Sequence, residues 1–359
     1  MFRDLVRVSG CDPKSNGKRN AIHSVDIDEV IAFASSQLSQ QHPDPHDRAL
    51  HVQNSIKPFG VAFHQSRVGS TLISNLMTVT TTESLQNRVY SESSPPSTAV
   101  RQYCGLDGCD TDGLATVFFV MGLGSGRTYG RNFFKFQSIL CINMGDIVDS
   151  IDAVTSVIGI PSGAAPSSHL PFVFVYRDPV EVMMSHFKDG ANQPNCARGK
   201  SHPNEVEKNL LRDKSANEVV PAGSLSTSEF CAAHLASLGE YALLALGSHP
   251  EHSRNGLMIN YHSERHGGLV ESVLDTLIPN FYGFGKKKTE AWRERLEVVG
   301  GFYSKARGTG SVDFEHDSEK KQEGASDEIR RYAAAYMEPT FNRLVTEEEE
   351  KRLQLIVVA

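Results

Sequence analysis

Phe59-Gly60-Val61-Ala62-Phe63-His64-Gln65-Ser66-Arg67-Val68-Gly69-Ser70-Thr71-Leu72-Ile73-Ser74-Asn75-Leu76-Met77 changes its hydrophobic period midway. Phe59 to Phe63 is a short apolar run of the kind that forms a buried strand, and Leu72, Ile73, Leu76 and Met77 return at helical spacing. Between them lies a small polar turn, Ser66 to Thr71. A strand, a tight glycine turn and a helix start predict unpaired backbone N–H groups aimed at one point, where an anion can sit. Ser66, Ser70 and Thr71 add hydroxyl donors, and Arg67 adds a planar cation matched to phosphate or sulfate oxygens. An ordinary strand-to-helix connection would use the same glycine, so the turn does not decide the matter alone.

The turn is not a nucleoside-triphosphate P-loop, which places a Lys before its final hydroxyl residue; here Gly69 is followed directly by Ser70. Gly122-Leu123-Gly124-Ser125-Gly126-Arg127 misses the G-x-G-x-x-G spacing and runs into the strand-like Asn132–Phe136, so it reads as a loop. A second stretch is more telling. Pro171–Tyr176 is another buried-strand candidate ending in Arg177-Asp178-Pro179, and Val180–Phe187 looks helical, with Pro179 in its first turn. Arg177 thus stands at a strand's carboxyl end, with Ser185 two turns into the next helix. Ligands of open α/β sheets collect beyond the carboxyl ends of the strands. Two such corners, each with an Arg and hydroxyls, suit a ligand carrying two separated anionic groups.

This pair resembles the nucleotide-binding elements of the sulfotransferases that use 3′-phosphoadenosine 5′-phosphosulfate (PAPS). In that family a first strand-loop-helix grips the 5′-phosphosulfate, and a later R-x-P-x(5)-S element grips the 3′-phosphate. Arg177, Pro179 and Ser185 match the later element in identity and spacing. Ser66-Arg67-Val68-Gly69-Ser70-Thr71 resembles the loop variant with Arg in place of Lys. Weaker echoes are Tyr90-Ser91-Glu92, Phe134–Ser138, Ile259-Asn260-Tyr261 and Tyr303-Ser304-Lys305. The resemblance implies an α/β fold: a single three-layer domain with a central, mostly parallel sheet flanked by helices, in the P-loop-like sulfotransferase architecture. The resemblance covers roughly residues 55–345; the implied domain runs over 51–345, after an N-terminal extension with one helix (1–50) and before a C-terminal tail (346–359).

It also implies roles. Ser66, Arg67, Val68, Gly69, Ser70 and Thr71 would bind the 5′-phosphosulfate, and Arg177 and Ser185 the 3′-phosphate. Lys135 would assist near the sulfuryl group. Lys305 and Arg307 resemble, loosely, a late basic loop that closes over the 3′-phosphate. Cytosolic relatives carry a His as general base where this chain has Gln137, and an amide cannot take a proton. Relatives that use a glutamate point to Glu92, at the end of the strand-like Arg88–Ser91, with His64 and Glu181 as lesser candidates. Glu92 fills that role best if burial raises its pKa; a solvated loop residue is the alternative reading of Glu92, and His64 reads as packing beside the turn. PAPS would be the co-substrate and no metal is implied. Two other readings stay open: a P-loop small-molecule kinase, and a non-catalytic nucleotide-binding relative that has lost its base.

The rest of the chain sets bounds. With 22% charged and 39% hydrophobic residues, the 359-residue chain reads as a folded globular protein. A net charge of −7 argues against a nucleic-acid-binding surface. No uninterrupted apolar run reaches the length of a membrane span, and the N-terminus lacks the apolar core of a secretory signal. The reading from these features is cytoplasmic, or the Golgi lumen if an N-terminal anchor precedes this chain. Of six scattered cysteines only Cys104 and Cys109 lie close together; free thiols are the expectation for them, with a disulfide as the alternative in an oxidising compartment. Asp26–Ala34 starts a helix, and Ser226–Glu229 forms a capping box before the apolar helix Phe230–Leu246. Leu257–Tyr261 reads as the last central strand, and Glu347–Glu350 as a solvent-exposed acidic run. The polar stretch 188–225 reads as an irregular excursion or a lid over an acceptor, which would be a small molecule, a carbohydrate or a peptide.

Overall fold

A computed structural model describes residues 26–80, 87–105, 108–123, 131–159, 169–187, 194–213, 218–261, 269–300 and 317–358. Its centre is a five-stranded parallel sheet flanked by helices. The strands are β1 (Gly60–His64), β2 (Asn87–Ser91), β3 (Arg131–Lys135), β4 (Phe172–Tyr176) and β5 (Gly256–Asn260). They lie in the order β2-β3-β1-β4-β5. β1, β4 and β5 are buried along their whole length, which is why they read as continuous apolar runs and not as alternating ones. β2 lies at the sheet's edge and is only half-buried, with Arg88 and Tyr90 among its residues.

By internal contacts the chain divides into two compact units: Met1–Val61, Thr81–Phe134 and Asp146–Leu170; and Ala62–Thr80, Lys135–Gly145 and Pro171–Ala359. In the first, Asp26 caps the helix Ile27–Gln41 by accepting the Asp28 amide at 2.9 Å. The apolar run Leu114–Met121 belongs to a helix, Thr111–Leu123. Cys104 and Cys109 face one another across a two-residue hairpin and form a disulfide, correcting the expectation of free thiols. Five residues of separation are enough once the hairpin folds the chain back on itself.

In the second unit, α1 (Ser70–Val79) follows β1 and α2 (Pro179–Phe187) follows β4. Asp178 caps α2, accepting the Glu181 amide at 3.1 Å, with Pro179 at the first helical position. The long helix α3 (Thr227–Ser248) is apolar enough by composition to cross a membrane, yet most of that stretch is buried inside the fold. Ser226 caps it by accepting the Glu229 amide at 3.0 Å, but the Glu229 carboxylate takes the Tyr336 hydroxyl at 2.8 Å. Only half of the expected capping box is therefore present. A complete box stands instead at Asn204 and Glu207. The described parts of 188–225 are thus not irregular throughout: Glu205–Leu210 is helical, a Cys196–Cys231 disulfide ties the segment to α3, and Glu207 holds His234 at 2.7 Å.

α4 (Glu338–Val358) carries the acidic run, and Glu348 corrects the expectation that it is solvent-exposed. This carboxylate is 3% exposed. It accepts the Tyr176 hydroxyl at 2.7 Å and the Asn260 amide at 2.9 Å, and Arg352 clasps it from the next turn. One buried acid so ties α4 to the ends of β4 and β5.

Candidate functional site

In this strand order the chain leaves β1 for one side of the sheet and crosses to the other side for β4, so the topological switch falls between β1 and β4. The carboxyl ends of β3, β1, β4 and β5 are neighbours, and the second unit carries on them Lys135, the turn Gln65–Gly69, Arg177 and Tyr261. Backbone bonds fix these ends: Phe136 N donates to Ala62 O at 3.0 Å, Gln65 N to Val175 O at 3.0 Å, and Tyr261 N to Tyr176 O at 2.8 Å. The two arginine corners follow neighbouring strands, β1 and β4.

The turn after β1 is strained in a particular way. Ser66 and Arg67 are consecutive left-handed residues, with φ of 70° and 56°, and Gly69 follows at 77°. For a side-chain-bearing residue this conformation costs on the order of 1 kcal/mol or more. The imidazole of His64 holds the bend, its Nδ1 accepting the Ser66 amide at 3.1 Å. Among the described residues, the amides of Arg67, Val68, Gly69, Ser70 and Thr71 have no hydrogen-bond partner, and neither do the hydroxyls of Ser66, Ser70 and Thr71. Successive amides in a left-handed bend form a concave nest for an anion, and the start of α1 adds its dipole. Ser70 is buried in that nest, whereas the Arg67 side chain is exposed and makes no ion pair with a described residue.

Tyr261 joins the two corners. Its ring lies where a side chain on Gly69 would otherwise stand, and the Arg177 guanidinium sits over the same ring, 4.8 Å from its centroid. Arg177 is buried, as is Glu181, which accepts from its Nε at 2.5 Å. The outer nitrogen of Arg177 donates to Asp317 at 3.0 Å and to Ser318 at 3.3 Å. The Ser318 hydroxyl also reaches Glu181 at 3.1 Å, and Lys321 pairs with the other oxygen of Asp317 at 2.8 Å. Partial burial alone would raise the Asp317 carboxyl, but hydrogen bonds from Lys321 and Arg177 outweigh it and hold the group below its ordinary range. Burial, then the Arg177 charge, lowers the Lys321 ammonium.

Other candidates stand as follows. Lys135 is buried at the end of β3. Ser185 donates its hydroxyl proton to the Glu181 carbonyl at 2.8 Å, within its own helix. Glu181 is committed to Arg177 and Ser318, which leaves it unsuited to act as a base. Glu92 belongs to the other unit; it is left-handed, with φ of 49°, and exposed, so the burial expected of a general base is not found there. Lys305 and Arg307 lie outside the described residues. Among the described residues no group of three His, Cys, Asp or Glu side chains could hold a metal ion. Tyr261, Asp317, Ser318 and Lys321 were not singled out by sequence. Only Tyr261 left a trace, as part of the Ile259-Asn260-Tyr261 echo.

The residues present fit an anion at the turn directly, through unpaired donors. They fit a second anion at Arg177 only where it replaces a carboxylate already seated there. No protein-family model, curated protein or solved structure matches the chain.

Proposed function

We propose that the chain is a PAPS-dependent sulfotransferase, built in the P-loop-like sulfotransferase architecture and acting on a hydroxyl or amine of an acceptor. The observation that carries this reading is the set of unpartnered amides from Arg67 to Thr71, with the Ser66, Ser70 and Thr71 hydroxyls, standing beside Arg177 across the Tyr261 ring at the sheet's switch point. The donor would supply a sulfuryl group already activated by its bond to a phosphate oxygen.

The chain's own part is electrostatic and positional. Arg67 and the amides and hydroxyls through Thr71 would hold the 5′-phosphosulfate and stabilise charge on the bridging oxygen as it leaves. Lys135 would add its charge from the neighbouring strand end. Arg177 and Ser185, with Lys305 and Arg307, would take the 3′-phosphate. The acceptor oxygen would form its bond to sulfur as the bond to the bridging oxygen breaks, and the acceptor's proton would pass to solvent water. The two disulfides suit an oxidising compartment, which favours a lumenal setting over the cytoplasm.

Calorimetry tests the reading. The full chain should bind 3′-phosphoadenosine 5′-phosphate without magnesium, and Arg67→Ala and Arg177→Ala should each weaken binding by about 1.5–3 kcal/mol, the scale of a charged hydrogen bond. Binding of ATP with magnesium in its place would favour a kinase and overturn the proposal. A chain that binds the nucleotide but transfers no sulfuryl group to any acceptor would be the non-catalytic relative that Gln137 suggests.

A further inference from the structure

Among the described residues, the ion-pair cluster around Arg177 joins two cations, Arg177 and Lys321, to two carboxylates, Glu181 and Asp317. The two acids are not equivalent. Glu181 is buried beside Arg177, one helical turn along α2, and is 7% exposed. Asp317 comes from a segment 140 residues away in the chain and is 43% exposed. Its carboxylate lies between the outer nitrogen of Arg177 and the ammonium of Lys321, with the Ser318 hydroxyl on the same guanidinium nitrogen. A carboxylate so held, with cationic donors on both oxygens, occupies the kind of seat that a phosphate oxygen pair would take.

We infer that the Asp317 carboxylate occupies an anion seat formed by Arg177 and Lys321, that the nucleotide's 3′-phosphate displaces it, and that Lys321 thereby becomes a phosphate ligand. This rests on the nucleotide reading above and deepens it. The exchange is anion for anion: Glu181 keeps its bond to Nε, the Tyr261 ring keeps its face of the guanidinium, and only the exposed partner leaves. Asp317 then sets how strongly the site prefers a 3′-phosphorylated nucleotide, because its charge competes for the same donors.

The test compares the full-length wild type with Asp317→Asn, Lys321→Ala and the double variant. Calorimetry would use 3′-phosphoadenosine 5′-phosphate and adenosine 5′-phosphate, and thermal unfolding would be followed with and without inorganic phosphate. Asp317→Asn should bind the 3′-phosphorylated nucleotide about three- to tenfold more tightly, the range expected when a partly exposed competing charge is removed. It should bind adenosine 5′-phosphate unchanged. Lys321→Ala should weaken only the former. In Asp317→Asn, inorganic phosphate should raise the unfolding temperature more than in wild type, and the double variant should lose that gain.

If wild type prefers the 3′-phosphorylated nucleotide but Asp317→Asn leaves that preference unchanged or reduces it, the seat is wrong and the sulfotransferase reading survives. If wild type binds neither nucleotide yet Asp317→Asn gains phosphate protection that the double variant lacks, the anion seat stands and the nucleotide reading falls. Failure of both the nucleotide and the phosphate arms overturns both.

Discussion

Gly69 and Tyr261 illustrate how few residues fix the geometry of the turn after β1. Gly69 has a φ of 77° with an aromatic ring standing where its side chain would be, so any substitution meets both backbone strain and a clash. Gly69→Ala should cost more than ~1 kcal/mol of stability. Adding Tyr261→Ala should recover the steric part and leave the backbone part, a non-additive cycle readable by urea denaturation. Simple additivity of the two changes would show that ring and turn do not touch. At this scale the sequence was informative about Arg67, Gly69 and Arg177, because their chemistry lies in the residue and in its place after a strand. It was silent on the partners of Arg177. Nothing in Asp317-Ser318 distinguishes it from any other polar pair until the chain brings it to α2.

Among the elements, the strands and their following helices were legible because parallel strands buried on both faces are short apolar runs, and their helices begin at caps and prolines. The run Leu114–Met121 became a helix, Thr111–Leu123, since an apolar stretch of that length has no periodicity to separate helix from strand. The C-terminal helix was the larger surprise. Composition made Glu347–Glu350 a solvated run, yet one of its acids faces inward to accept the buried amide of Asn260 and to hold Tyr176 and Arg352. Glu348→Ala should destabilise the protein by about 3–5 kcal/mol, since it leaves a buried guanidinium without its partner. Glu347→Ala and Glu350→Ala, at exposed positions, should stay within about 0.5 kcal/mol. Equal effects of all three in chemical denaturation would place Glu348 at the surface.

For the molecule as a whole, burial falls unevenly on acids and bases. Burial pushes the Cys141 thiol from 9.0 up to about 12, and burial with the nearby Glu207 charge pushes the Tyr241 phenol from 10.0 up to about 12. Burial also raises Tyr176, Tyr282 and Tyr336, with Glu348 and Glu229 adding to it at the first and last. Each raised group favours the neutral form in the folded state. Its stabilisation is therefore complete below its unfolded pKa and is lost as pH rises from there through the folded value. On the acid side Asp317 is lowered and Asp146 raised, the latter by burial and then by Asp149, so their contributions oppose each other. The urea midpoint should fall steeply from about pH 9 toward pH 12 and change less between pH 7 and pH 4. A midpoint that is flat to pH 12 would contradict the burial of these phenols and this thiol.

Local geometry could be read from the chain alone: where strands end, where helices begin, and which two turns carry arginine and hydroxyls at those ends. Those properties depend on dihedral preference and hydrophobic period, which a few neighbouring residues settle. Which charges meet was set by the folded arrangement. Cys196 reaches Cys231, Glu348 reaches Asn260 and Asp317 reaches Arg177 because packing closes loops whose sequence leaves the partner unspecified. The strength of a charged group then follows from the burial and the company it finds there, and neither is a property of its own stretch of chain.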